Sequence, residues 1–172
     1  MIKAKRRGRY TEFPIKANLA VALVLGFIFF HGLILSLRIK PFGAPAYLFL
    51  WIASYFVIYM GTCRSCIYYG KRCPVPLEGS CVNRFFKKSE KPFGYFSLLA
   101  ASFAYLLRIA VPIVAIAVDR IFIQGGVYVG LLILFWTVHL RFTGCHNCIN
   151  ESCPLNPDYG QNKSKGLEIP LI

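Results

Sequence analysis

Apolar residues fall in four blocks along this chain, separated by short polar stretches. The first, Ala17 to Leu37, holds no charged side chain over 21 residues, and a helix rising about 1.5 Å per residue needs about 20 residues to cross the hydrocarbon core of a bilayer. Pro45 to Gly61, Tyr95 to Val118 and Ile123 to Leu140 repeat the pattern. The second and fourth blocks are short and need flanking residues to complete a span, and the third carries Arg108. The first block is too long for a signal-peptide core and lacks a small-x-small cleavage site after it, so it is expected to remain in the chain. The pattern predicts an all-α integral membrane protein: four transmembrane helices as two parallel-repeat hairpins, each followed by a Cys-rich loop.

On that reading the chain divides into a basic amino-terminal stretch (1–16), a first hairpin (17–61), a Cys-rich basic loop (62–94), a second hairpin (95–141) and a Cys-rich tail (142–172). The repeat is architectural, because outside the cysteine motifs the halves match poorly, and two independent hairpins converging on one motif fit as well. Lys40-Pro-Phe-Gly and Lys91-Pro-Phe-Gly each precede a span. Proline suits the first turn of a helix and Phe with Lys suits the headgroup level, so both read as interfacial entry signals. Gly126 with Gly130, and Ala100 with Ala104, offer small faces for close helix packing, which predicts a compact four-helix bundle.

Composition agrees, since 56% of the 172 residues are hydrophobic, more than a soluble domain of this size carries. A net charge of +13 would suit nucleic acid, but the placement of the 20 Lys and Arg residues gives another cause. Six lie in the first 16 residues, seven between Arg64 and Lys91, and three from Arg141 onward, whereas the intervening loops hold only Arg38, Lys40 and Arg120. This positive-inside asymmetry puts both termini and the middle loop in the cytoplasm of a cell inner membrane, and no nucleic-acid partner is needed to explain the charge. The run Arg84, Lys87, Lys88 and Lys91 fits the same rule, with docking of an acidic partner or anionic lipid as the functional alternative.

All seven cysteines fall on that basic side, where thiols stay reduced and metal or redox chemistry is favoured over disulfides. They form two related motifs, Cys63-x-x-Cys66 with Cys73-Pro74 and Cys145-x-x-Cys148 with Cys153-Pro154. A two-residue gap lets one turn present both thiolates to an ion or a cluster edge. Arg64, Lys71, Arg72 and Arg141 supply positive charge beside such an anionic site. The Cys-Pro endings resemble ferredoxin logic without matching the ferredoxin run, because the third cysteine is missing and the gaps differ. Cys63, Cys66, Cys73 and Cys81 would complete one four-thiolate site. Cys145, Cys148 and Cys153 would leave a fourth position for His146, a shared ligand or an outside group. An iron-sulfur cluster is the first expectation; a zinc site pairing Cys63, Cys66, Cys145 and Cys148 is the second.

Within the bilayer, His31 and His139 lie at different depths and cannot clasp one haem; His139 reads as an interfacial polar residue. Arg108 lies roughly 20 Å into its helix, near the depth of His31. A charge there must face the bundle interior, a cavity or an anion, or reach for water. One reading is an arginine that snorkels outward or bonds carbonyls freed at Pro112; the other is an outer-leaflet pocket of His31 and Arg108 for a quinone or a lipid headgroup. No phosphate loop, nucleophile elbow, zinc-protease helix or paired carboxylates occur, and seven acidic residues argue against a hydrolase. The expected function is an electron-transfer or anchoring subunit beside a larger redox partner in the lipid bilayer. A zinc-stapled scaffold or assembly factor is the alternative, and a thiol-based soft-metal carrier is disfavoured because no cysteine lies within the spans. A homo-oligomer is left open.

Overall fold

A computed structural model describes residues 9–156 and Tyr159, the side chains of residues 140 and 141 excepted. The basic residues before Arg9, the Arg141 side chain and the rest of the tail lie outside the described residues. Among those described the chain is helical with no strand. The helices are α1 (Ile15–Ser36), α2 (Gly43–Gly61), α3 (Glu78–Phe85), α4 (Tyr95–Asp119) and α5 (Phe122–Thr137), with α5 running on into a π-helical turn, Val138–Thr143. Short 3-10 turns occupy Cys63–Ser65 and Cys145–Asn147.

Three helical stretches, Ile15–Ser36, Gly43–Ser65 and Tyr95–Asp119, are long and apolar enough to cross a membrane, while Phe122–Thr137 is apolar but shorter. Their outward faces carry large apolar side chains such as Phe27, Phe49, Phe103 and Ile133, each more than half exposed, as helices in contact with lipid do. By length and composition these helices fit an all-α membrane protein. The two Lys-Pro-Phe-Gly motifs do mark helix entries, since α2 begins on Gly43 and α4 directly after Gly94. Their prolines stand ahead of the first turn and not in it.

The helices do not pack in chain order: α2 lies chiefly along α4, and α1 along α5. The α2–α4 seam is antiparallel. Thr62 donates to the Ser97 carbonyl at 2.7 Å, Ile58 shares a buried cluster with Ala104, and Ser54 meets Arg108. A Cβ on Gly61 would collide with that of Ala100, so the expected small face of Ala100 and Ala104 is where the backbones approach. The Gly126 and Gly130 pair does not pack this way. Both glycines open onto free space, and the neighbouring Gly125 is the one that abuts Ile116 across the α4–α5 turn. A difference of one residue turns a helix face by about 100°, which the motif alone does not register.

The segment 62–94, expected as a loop, contains α3. Leu77 adopts a left-handed conformation (φ 68°) and swings the chain into this short helix, whose Val82 is fully buried against α2 and α4. Two turns of chain with one apolar side inserted this way leave little hydrophobic periodicity to read.

Candidate functional site

Both Cys-x-x-Cys knuckles fold as the same turn. In each, the second cysteine's N–H donates to the first cysteine's carbonyl, Cys66 to Cys63 at 3.2 Å and Cys148 to Cys145 at 3.3 Å. The second cysteines have nearly equal torsions, φ −84° and ψ 149° at Cys66 against φ −76° and ψ 139° at Cys148. The first knuckle leaves α2 through Thr62. The second leaves the π-turn, where Gly144 donates to the His139 carbonyl at 2.8 Å and a Cβ on Gly144 would press on that carbonyl at 2.6 Å.

The amino-terminal strap holds the knuckles together. Tyr10 donates to the Asn147 carbonyl and Phe13 to the Arg72 carbonyl, at 3.2 and 3.0 Å. The Tyr68 hydroxyl donates to the Tyr10 carbonyl at 2.6 Å and accepts the Ile149 N–H at 3.2 Å. Phe13, fully buried, packs on the Tyr68 ring. Ion pairs of Glu12 with Arg72 (3.1 Å) and Arg9 with Glu151 (3.0 Å) flank the strap.

Between the motifs lies a chamber of about 150 Å³ lined by Cys63, Cys66, Cys73, Cys145, Cys148 and Cys153. Six of the seven cysteines, three from each half, face one space. The Cys73 thiol donates to the Val75 carbonyl at 2.9 Å and accepts the Gly79 N–H at 3.3 Å; Cys148 accepts the Asn150 N–H at 3.3 Å. Asn150, buried, points its amide at Cys66 across the motif boundary, at 4.0 Å. Burial pushes the Cys66 and Cys145 thiols up to about 12 and raises Cys73, Cys148 and Cys153 as well. The cysteines are free thiols, and among the described residues no three His, Cys, Asp or Glu side chains close on a point that could hold a single ion.

Two sequence expectations about this set do not match the arrangement. Cys81 sits on α3, packed against the Ile58–Val82 cluster and outside the chamber. His146 is exposed on its turn and does not line the chamber either. His139 does, stacked on Phe135 with its Nδ1 shut off from solvent and without a hydrogen-bond partner among the described residues. Read as an interfacial residue from sequence, it lies within the π-turn and lines the chamber. Glu78 is the other residue that sequence reasoning passed over. Buried at the chamber wall, its carboxylate lies 3.5 Å from Arg108 Nη2 and accepts from Tyr105 at 3.4 Å. Burial raises its pKa against the pull of Arg108.

Arg108 therefore reaches toward the cysteine end. Side chains on a helix lean toward its amino terminus, and α4 begins at that end. The guanidinium is buried, donates from Nε to Ser54 Oγ at 2.8 Å, and lies over Trp51, Tyr55 and Tyr105 with 4.9, 4.5 and 5.0 Å to the ring centroids. His31 is elsewhere: its Nε2 lies 3.2 Å from the Gln124 carbonyl and its ring stacks on Tyr128. The two residues expected to share an outer pocket do not meet. Compared with protein-family models, curated proteins and solved structures, the chain matches none.

Proposed function

We propose that the chamber holds an iron-sulfur centre and that the chain is a four-span electron-transfer or anchoring subunit of a membrane redox complex. The observation that carries this reading is the gathering of six cysteines, from motifs 82 positions apart (Cys63 and Cys145), around one space. A single zinc ion draws four thiolates to about 2.3 Å and so requires them to converge. A cluster gives each iron its own thiolate and spreads the sulfurs around a core, which suits cysteines that line a chamber instead of meeting at a point. The volume, well above the roughly 10–15 Å³ that one water requires, suits a multi-atom core. Thiols held protonated by burial would release protons as the metal takes thiolates, and the Asn150 amide and the His139 ring would supply hydrogen bonds to sulfur.

The fourth span is α5 with its π-turn, Phe122 to Thr143, long enough together to complete the crossing. The charge asymmetry supports an inner membrane with the chamber and both termini on the cytoplasmic side. A cleft walled by Lys88, Lys91 and Asn150 reaches Cys66 from outside, so the basic run stands where a redox partner would approach. The matched knuckle turns favour zinc as the second reading, a staple joining two hairpins. Anaerobic purification with metal and sulfide analysis separates them. Iron with equivalent acid-labile sulfide and broad visible absorption is expected; a colourless protein with stoichiometric zinc would replace electron transfer by the staple.

A further inference from the structure

A second cavity, of about 270 Å³, lies inside the bundle, walled by Trp51, Tyr105, Leu106, Arg108, Leu132 and Trp136. Its walls are aromatic and aliphatic, and the charged group among them is a donor without an acceptor: Arg108 is 2% exposed, and its Nη1 has no hydrogen-bond partner among the described residues. A buried donor without an acceptor is costly, and more so when it is charged. A ligand that fits must bring acceptor oxygens to this wall, have a flat body that stacks on aromatic rings, and need no acceptor in return.

The way in is from the lipid. Leu106 and Trp136, on the cavity rim, are 59% and 40% exposed on the outer surface of α4 and α5, with Ser102 exposed beside them. These two helices lean on α2 and α1 more than on each other. A fatty acid would also enter this way, but the Arg108 charge is already matched by Glu78 at 3.5 Å, and a second carboxylate would be repelled there. A neutral acceptor is favoured. We propose that this cavity binds the ring of an isoprenoid quinone, a ring carbonyl accepting from Arg108 and the tail leaving between α4 and α5 into the bilayer. His31 does not line this cavity and has no part in it. The proposal stands on this geometry alone and does not depend on metal in the cysteine chamber. The two cavities share the Arg108–Glu78 pair as their partition, which puts a bound quinone ring one ion pair away from the chamber.

The chain's two tryptophans, Trp51 and Trp136, both line this cavity, so tryptophan emission reports on it directly. The full-length protein in phosphatidylcholine nanodiscs is titrated with decylubiquinone, a quinone whose ring quenches indole emission. Saturable quenching is expected in the wild type. In Arg108→Gln the half-saturating concentration should rise at least about tenfold, the loss of one charged hydrogen bond. Ser102→Phe, at the lipid-facing rim where the fold is not at risk, should reduce the saturable component, and excess oleate should not reverse the quenching. Quenching that is linear in quinone and equal in the wild type and Ser102→Phe would overturn the proposal, as would displacement by oleate, which would mark a fatty-acid site.

Discussion

At Cys63–Cys66 and at Cys145–Cys148 the backbone turns alike, yet the third cysteine of each half is held by different means. Cys73 is fixed by a long loop that doubles back through α3. Gly79 donates to its sulfur, and the Gly79 carbonyl in turn accepts from Gly70 at 2.8 Å, where φ of +73° suits glycine. Cys153 follows its knuckle after only four residues and is framed by asparagines. Its N–H donates to the Asn150 carbonyl, and the buried Asn156 amide donates to the Cys148 and Asn150 carbonyls at 2.9 and 3.0 Å. One half is built on tertiary packing and the other on local side-chain bonds. The shared element is therefore the knuckle turn, while each half supports it with its own scaffold.

That contrast is broken most completely by removing one cysteine from each half. Cys66→Ser and Cys148→Ser should each abolish most metal binding if both halves serve one centre; metal retained at half the wild-type content in either variant, by elemental analysis, would split the chamber into independent sites. The braces come next. Gly79→Ala puts a methyl 2.6 Å from the Lys71 carbonyl and 2.9 Å from that of Tyr68, backbone atoms with little room to yield. A destabilisation of roughly 1–3 kcal/mol, typical of overpacking, should show in thermal unfolding. Asn156→Ala strips one buried and one half-buried carbonyl of a donor and should cost about 1–2 kcal/mol, with Cys148 more disturbed than Cys73. If the halves were symmetric, these two variants would weaken Cys73 and Cys148 alike. Equal gain of reactivity toward a thiol reagent at both positions, as both buried thiols open to solvent, would remove the asymmetry.

The helices were legible in the sequence because bilayer spans are written as long uncharged runs, and Ile15–Ser36 and Tyr95–Asp119 fall within about two residues of the expected blocks. The cysteines facing one chamber were legible in part, since spacing identifies a knuckle but not which knuckles meet. What joins them is the strap at Tyr10 to Phe13, which reaches each motif through a backbone-to-backbone bond, Tyr10 to Asn147 and Phe13 to Arg72, that leaves no signature in residue type. The pairing of Arg108 with Glu78 was hidden for a related reason. Position along a helix gives the depth of the α-carbon, whereas the charge sits at the end of a long side chain that leans toward the cysteine end and meets a carboxylate from a helix with little periodicity in the sequence.

The smallest expected effect sharpens the comparison most, because it concerns the residue that completes the first half by count alone. By count, Cys81 makes a fourth thiolate beside Cys63, Cys66 and Cys73, and the second half has no equivalent. In the fold it lies on α3 with its sulfur 3.9 Å from Ser80 Oγ, among apolar neighbours and away from the chamber. The halves then contribute three cysteines each, and the unequal number in the sequence is not an inequality of the site. Cys81→Ser should leave metal content unchanged and shift stability by no more than about 0.5–1 kcal/mol, the scale of a partly buried polar exchange. Loss of metal in this variant while the helical content holds would return Cys81 to the ligand set, and would require α3 to turn when metal binds.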